Sequence, residues 1–147
     1  MRRLLRLGMA LLLAVSTTAM ADLEVSEAKL RLLPGDLPTA GYFNLTNKGS
    51  LPVTLAGAQS PDFAQVMMHR SSLENGMASM RHVEQIEVPV GNTLTFASGG
   101  YHLMLLQRQR ELSLGDQVEV TLLFADGQRL PVTFTAIPLE AQGGDRS

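Results

Sequence analysis

The stretch QVEVTLLF, residues 117–124, alternates apolar and polar side chains over most of its length. An extended strand of this kind has one apolar face and one polar face, which is typical of a sheet that buries one side. A second strand-like stretch covers residues 130–136, and Asp126-Gly127 between the two favours the tight turn of a β-hairpin. The C-terminal part of the sequence therefore predicts two paired antiparallel strands.

Further short segments of strand-like composition precede this hairpin, and residues that favour turns separate them. They cover residues 23–33, 41–47, 53–58, 64–69, 82–88, 93–97 and 101–107. No segment has a sustained helical period, and strands at this spacing are typical of a sandwich or barrel. We predict an all-β fold, a single-domain antiparallel β-sandwich.

The first 21 residues have the three-part layout of a secretory signal peptide. The start is basic, an apolar run covers residues 7–15, and Ala19-Met20-Ala21 ends just before Asp22. The apolar run is much shorter than the roughly 20 residues that span a bilayer. We expect cleavage after Ala21, export to the periplasm and no stable membrane insertion afterwards. The remaining chain is expected to form a domain over residues 22–137 and a short flexible tail over residues 138–147.

Charge and cysteine content exclude several classes of function. Cleavage removes three of the twelve basic residues, which leaves nine against fourteen acidic residues and a net charge near −5. Because the remaining cations are scattered, we expect neither a nucleic-acid partner nor binding to an anionic membrane surface. Cysteine is absent, which excludes disulfides, a thiol nucleophile and a thiolate metal site.

The methionines and histidines that remain after cleavage are concentrated in one window of 38 residues. They are Met67, Met68, His69, Met77, Met80, His82, His102 and Met104. Thioether and imidazole donors together suit Cu(I), whereas zinc sites favour thiolate, imidazole and carboxylate, and calcium or magnesium requires oxygen. The composition therefore predicts a Cu(I) site. It excludes a blue-copper electron-transfer centre, which needs a cysteine ligand.

Two pairs of these residues are placed to approach one another. His102 and Met104 are two apart in a predicted strand, so their side chains project from the same face. His69 ends another predicted strand, and the turn-forming residues Glu74-Asn75-Gly76 can bring Met80 back toward it. With four protein ligands such a site has no open position for substrate, so we predict a carrier and not an enzyme.

The other sulfur and imidazole side chains have simpler interpretations. Met67 and Met68 are expected to pack in the core, although Met68 remains an alternative ligand because it adjoins His69. Met77 is close enough in sequence to Met80 to shield the metal. A single histidine such as His82 is more often a surface residue than a ligand.

Ten residues separate His69 from Met80, twenty-one separate Met80 from His102, and one separates His102 from Met104. This spacing resembles the copper-binding motif of the periplasmic PCuAC copper chaperones. The segments GYFNLTN from Gly41 and GGYHLM from Gly99 are similar to that family as well, and the likeness covers residues 23–137.

This resemblance implies a cupredoxin-like Greek-key sandwich that holds one Cu(I) per chain through these four metal ligands. It also implies delivery of copper to cytochrome c oxidase, through subunit II or another oxidase-assembly factor. His82 stands where similar sequences commonly have proline, and the tail contains neither histidine nor methionine for a second site.

Two alternatives stay open from the sequence. The protein could be a periplasmic copper buffer without a dedicated recipient. It could also be a structural or adhesion sandwich in which the histidines and methionines cluster incidentally.

Overall fold

The computed structural model describes residues 22–35 and 37–138, and every regular element in these ranges is a β-strand. The strands are β1 (Leu23–Arg31), β2 (Thr39–Asn47), β3 (Val53–Gln59), β4 (Phe63–Glu74), β5 (Met77–His82), β6 (Ile86–Val88), β7 (Thr93–Phe96), β8 (Tyr101–Arg108), β9 (Gln117–Phe124) and β10 (Arg129–Ile137). The predicted all-β class is confirmed. The predicted signal peptide, and the predicted tail beyond Pro138, lie outside the described residues.

Residues 22–35 and 37–138 contain no helix that is long and apolar enough to span a membrane.

The ten strands form one sheet in the order β5-β4-β8-β7-β2-β1-β10-β9-β3-β6. Most neighbours are antiparallel, including the predicted hairpin of β9 and β10. Two pairs are parallel: β1 with β10, and β7 with β8 through Phe96 and Tyr101. The sheet is therefore mixed and not purely antiparallel as predicted. Strands β1 and β10 are far apart in sequence, so no short turn forces them to run in opposite directions.

A single hydrophobic cluster lies at the centre of the fold, and nine of the ten strands contribute buried side chains to it. The ring of Phe43 packs against Phe96 at a centroid distance of 4.4 Å and against Phe134 at 5.9 Å. One cluster can draw on so many strands of a continuous sheet only if the sheet curves around it. The exception is β5, whose six residues are all exposed.

The hairpin of β4 and β5 extends beyond this core. The sequence predicted strands that stop at His69 and restart at His82, whereas β4 continues to Glu74 and β5 occupies much of the interval. Asn75 and Gly76 form a two-residue turn with φ of 53° and 75°, which is the type I′ geometry of tight hairpins. The sequence did not predict strand β5. None of its side chains is buried, so its sequence has no alternation of apolar and polar residues.

Gly41 in β2 allows three strands to approach closely. It pairs with Leu30 of β1 on one side and with Leu103 of β8 on the other. A Cβ atom at this position would lie 3.1 Å from the Cβ of Leu103 and 3.3 Å from side-chain methyls of Leu30 and Leu105. Because Leu103 stands between His102 and Met104, this close packing also positions the strand that carries them.

We expect Gly41→Ala to lower the free energy of unfolding by about 1–3 kcal/mol, because the added methyl overpacks the core. Gly57→Ala is the matched control, since its Cβ would lie 4.0 Å from the nearest atom, a methyl of Leu123. The control should change stability by less than about 0.5 kcal/mol. Urea denaturation of both variants checks this, and equal losses would contradict the packing argument.

Candidate metal centre

Three neighbouring strands, β5, β4 and β8, bring the predicted ligands together. The register pairs His69 of β4 with His102 of β8 on one side and with His82 of β5 on the other. Side chains directly opposite one another in a sheet project from the same face. The three imidazoles therefore form a row across three strands, with His69 in the middle.

Met80 and Met104 lie diagonally from His69 on the same face. Met80 pairs with Ser71, and Met104 pairs with Met67, positions two residues to either side of His69 in β4. Diagonal neighbours in a sheet are within reach of long side chains. The Sδ of Met80 is 3.2 Å from the Nδ1 of His69. All four residues singled out in the sequence thus share one face, around His69.

The distance between the rings of His69 and His102 is one that two ligands of a single metal ion can have. Their centroids are 5.7 Å apart and the ring planes are inclined by 80°. A metal–nitrogen bond of about 2.0 Å places each ring centroid about 3.2 Å from the metal, so two bound rings can be up to about 6.4 Å apart. The observed separation falls within that limit.

One ring nitrogen of His102 points to the backbone. Its Nδ1 is 3.4 Å from the carbonyl oxygen of Gly100, the residue before β8. If Nδ1 carries the proton and donates to this carbonyl, Nε2 keeps its lone pair for a metal. The close partner of His69, in contrast, is the sulfur of Met80.

Burial differs sharply across the site. His102 is only 7% exposed, His69 and Met104 are half-buried, and Met80 is 55% exposed on the outer strand. The β8 side of the site is therefore embedded in the fold and the β5 side faces solvent. An ion held here would be accessible from the β5 side.

The surroundings of His69 favour its neutral form. Burial lowers the pKa of His69 below its ordinary value, and the neighbouring His102 and His82 lower it further because they disfavour another positive charge. Neutral imidazole is the form that binds metal. Within residues 22–35 and 37–138, no group of three or more His, Cys, Asp or Glu side chains is arranged to hold a metal ion. With the side chains in this arrangement, a metal on this face would therefore depend on the methionine sulfurs as well.

Met68 and Met77 both lie away from the face that carries the four candidate ligands. Met68 is 2% exposed and packs in the core, so it is not the alternative ligand that the sequence left open. Met77 pairs with Glu74 beside the turn, is 74% exposed and projects from the opposite face of β5 to Met80. It therefore does not shield the site.

Met67 differs from its predicted role, and His82 lies beside residues with which the sequence did not group it. Met67 was expected to pack in the core, but it lies on the same face as His69, directly across from Met104. His82 is exposed, as expected of a surface residue, yet it belongs to the histidine row. Strand parity alone could have placed Met67 beside His69, because the two are two residues apart. The position of His82 depends on the register of a strand that the sequence did not predict.

Comparison with known proteins places the chain in a family. Residues 23–136 match the model of the LpqE-like family, described as "Putative lipoprotein LpqE-like". The protein named "Putative lipoprotein Lxx21020" from Leifsonia xyli subsp. xyli is 32% identical over 122 residues, which cover 82% of this chain and 71% of that protein.

Solved structures have the same architecture. The solution structure of Cu(I)-DR1885 from Deinococcus radiodurans is 31% identical, with a TM-score of 0.61 over 82% of this chain and 81% of that one. Apo-DR1885 is 33% identical, with a TM-score of 0.62 over 81% and 80%. The copper-bound PCuAC domain from PmoF2 has a TM-score of 0.67 over 82% of this chain and 96% of its own. Because its sequence identity is 23%, this similarity shows the fold alone. The chain therefore belongs to the LpqE-like family, which is related to the PCuAC domains, and it has the PCuAC fold.

Proposed function

We propose that this protein is a periplasmic copper carrier that holds one Cu(I) ion with His69, Met80, His102 and Met104. The observation that carries the proposal is the 3.2 Å contact between the Nδ1 of His69 and the Sδ of Met80, at the centre of the face shared by all four residues. Its relative DR1885 has been solved in a Cu(I) form.

The donor set fits Cu(I) in both chemistry and charge. Thioether sulfur is a soft donor that selects Cu(I), and imidazole is a good copper ligand when neutral. The lowered pKa of His69 keeps its ring neutral at lower pH than an ordinary histidine. None of the four donors needs to lose a thiol proton, so the metal can bind without the tight hold of a thiolate.

The uneven burial supports carriage, in which the metal must also leave. Met80 lies on a strand that contributes nothing to the core, whereas His102 is buried in β8. We infer that Met80 is the first ligand to be exchanged when a recipient offers its own donor, and that His102 holds the metal until the end. With four protein ligands the ion has no free position for substrate, so binding and release are the whole activity.

The recipient that we propose is the copper centre of cytochrome c oxidase, through subunit II or another assembly factor. Support for this step comes from the resemblance of the ligand spacing and its flanking segments to the periplasmic copper chaperones. The expected signal peptide would place the protein in the compartment where such delivery takes place.

Removing the sulfur of Met80 should weaken Cu(I) binding specifically. We expect Met80→Ala to reduce Cu(I) affinity about tenfold or more, or ~1.4 kcal/mol, because one of four donors is lost. Met77→Ala is the matched control, an exposed methionine on the same strand that faces away from the site. Anaerobic competition with a chromogenic Cu(I) chelator measures both.

The same titration tests whether the site exists at all. A variant with alanine at all four ligand positions should lose high-affinity binding. Wild-type affinity in that variant would contradict the carrier function and favour a structural or adhesion role. Equal weakening by Met77→Ala and Met80→Ala would contradict the assignment of Met80.

Binding should also depend on pH. Protons compete with copper for the imidazoles, and the pKa of His69 lies below the ordinary value of about 6.5. Its protonation therefore begins to compete only at more acidic pH. We expect Cu(I) affinity to be steady between about pH 7.5 and 7 and to fall as the pH drops below about 6.5, measured with a chelator calibrated at each pH. Constant affinity down to about pH 5 would show that the histidines are not both ligands.

Deletion of the gene distinguishes delivery from buffering. We expect oxidase activity to fall in copper-poor medium and to recover when copper is added, because the oxidase then loads without a carrier. Wild-type protein should restore activity to the deletion strain, and the four-alanine variant should not. Sensitivity to excess copper with normal oxidase activity would instead indicate a copper buffer.

A further inference from the structure

His82 occupies a position equivalent to that of His102, on the other side of His69. It pairs directly with His69 across β4 and β5, and the two ring centroids are 5.8 Å apart with planes inclined by 85°. The separation on the β8 side is 5.7 Å with an inclination of 80°. His69 thus has an imidazole at almost the same distance and angle on each side.

The two flanking strands offer the same pair of donors. Strand β8 presents His102 and Met104 two residues apart, and β5 presents Met80 and His82 two residues apart. Residues two apart on a strand share a face, so each strand places one thioether and one imidazole beside His69. The Cu(I) site proposed above uses both donors of β8 but only the sulfur of β5.

We propose that His82 is a third nitrogen ligand that, with His69 and His102, holds copper supplied as Cu(II). This inference rests on the proposed copper function of the same face. Cu(II) prefers nitrogen and oxygen donors in a tetragonal arrangement, whereas thioether favours Cu(I). With His82 bound in place of Met80, and with the sulfur of Met104 released from the metal, the site offers three imidazoles, and water can complete the coordination.

The strand spacing permits the two outer imidazoles, those of His82 and His102, to reach one ion. Adjacent strands are about 4.8 Å apart, so the Cα atoms of His82 and His102 are separated by about 10 Å across β4. A histidine places a bound metal about 6 Å from its Cα when the metal–nitrogen bond is about 2.0 Å, so two such residues can share an ion across about 12 Å. His82 and His102 can therefore reach a common ion above β4 without a change in strand spacing.

The three rings do not converge in the structure itself, since no three-histidine metal group is present among the described residues. Convergence requires rotation of the His82 side chain toward His69. His82 is exposed on a strand that contributes nothing to the core, so rotation about its χ angles displaces no packed side chain. The buried His102 and the half-buried His69 supply the fixed part of the site.

The test compares wild-type protein with His82→Gln, titrated with Cu(II) ions in air and with Cu(I) under anaerobic conditions. Electron paramagnetic resonance with pulsed detection counts the imidazole nitrogens bound to Cu(II). We expect three in the wild type and two in the variant, with Cu(II) affinity lowered about tenfold or more and Cu(I) affinity changed less than about twofold. Arg81→Gln is the matched control, because Arg81 is the adjacent residue on β5 and projects from the opposite face toward Arg70.

The outcomes separate this inference from the function on which it rests. If the wild type fails to bind Cu(I), the proposed carrier function fails. If it binds Cu(I) but His82→Gln leaves the Cu(II) nitrogen count and affinity unchanged, the inference alone is wrong. Equal weakening of both oxidation states, or no Cu(II) binding by the wild type, also overturns it. An unchanged urea unfolding midpoint shows that the variant is folded.

Discussion

The cross-strand register of β4 is the constraint on which the site depends. This strand lies between β5 and β8, and its register on both sides aligns His69 with a histidine. A slip of one residue would turn every side chain of a strand to its other face, which would send His69 into the core and Met68 out of it. The burial of Met68 against the core therefore helps to hold His69 on the site face.

Backbone contacts beyond the strand ladders reinforce this register. The amide of Val83, just after β5, donates to the carbonyl of Met68, and the amide of Ser71 donates to the carbonyl of Gly100. Arg70 on the opposite face lies over the ring of Tyr101 at 5.1 Å. Such cation–π contacts contribute about 0.5–1 kcal/mol at exposed sites. The hairpin is thus anchored at its base, near the histidines, while its turn extends into solvent.

Local pattern predicted the parts of the fold in which burial alternates along the chain. The hairpin of β9 and β10, the turn at Asn75 and the shared face of His102 and Met104 follow from residue type and strand parity. The parallel pairing of β1 with β10 joins residues that are distant in sequence, and no local pattern encodes it. Strand β5 was missed because all of its side chains are exposed, and the placement of His82 beside His69 was missed with it.

The separation of β5 from the core means that its donor side chains can change without a change in the packing that holds the fold together. A substitution in β5 alters the donors on one side of His69 but removes no buried contact, so its effect on stability should be within the small range of surface changes. Changes in β8 affect both properties together, because Leu103 and Leu105 are buried among its site residues. In this protein β5 is therefore the strand whose donor side chains can change while the fold stays the same.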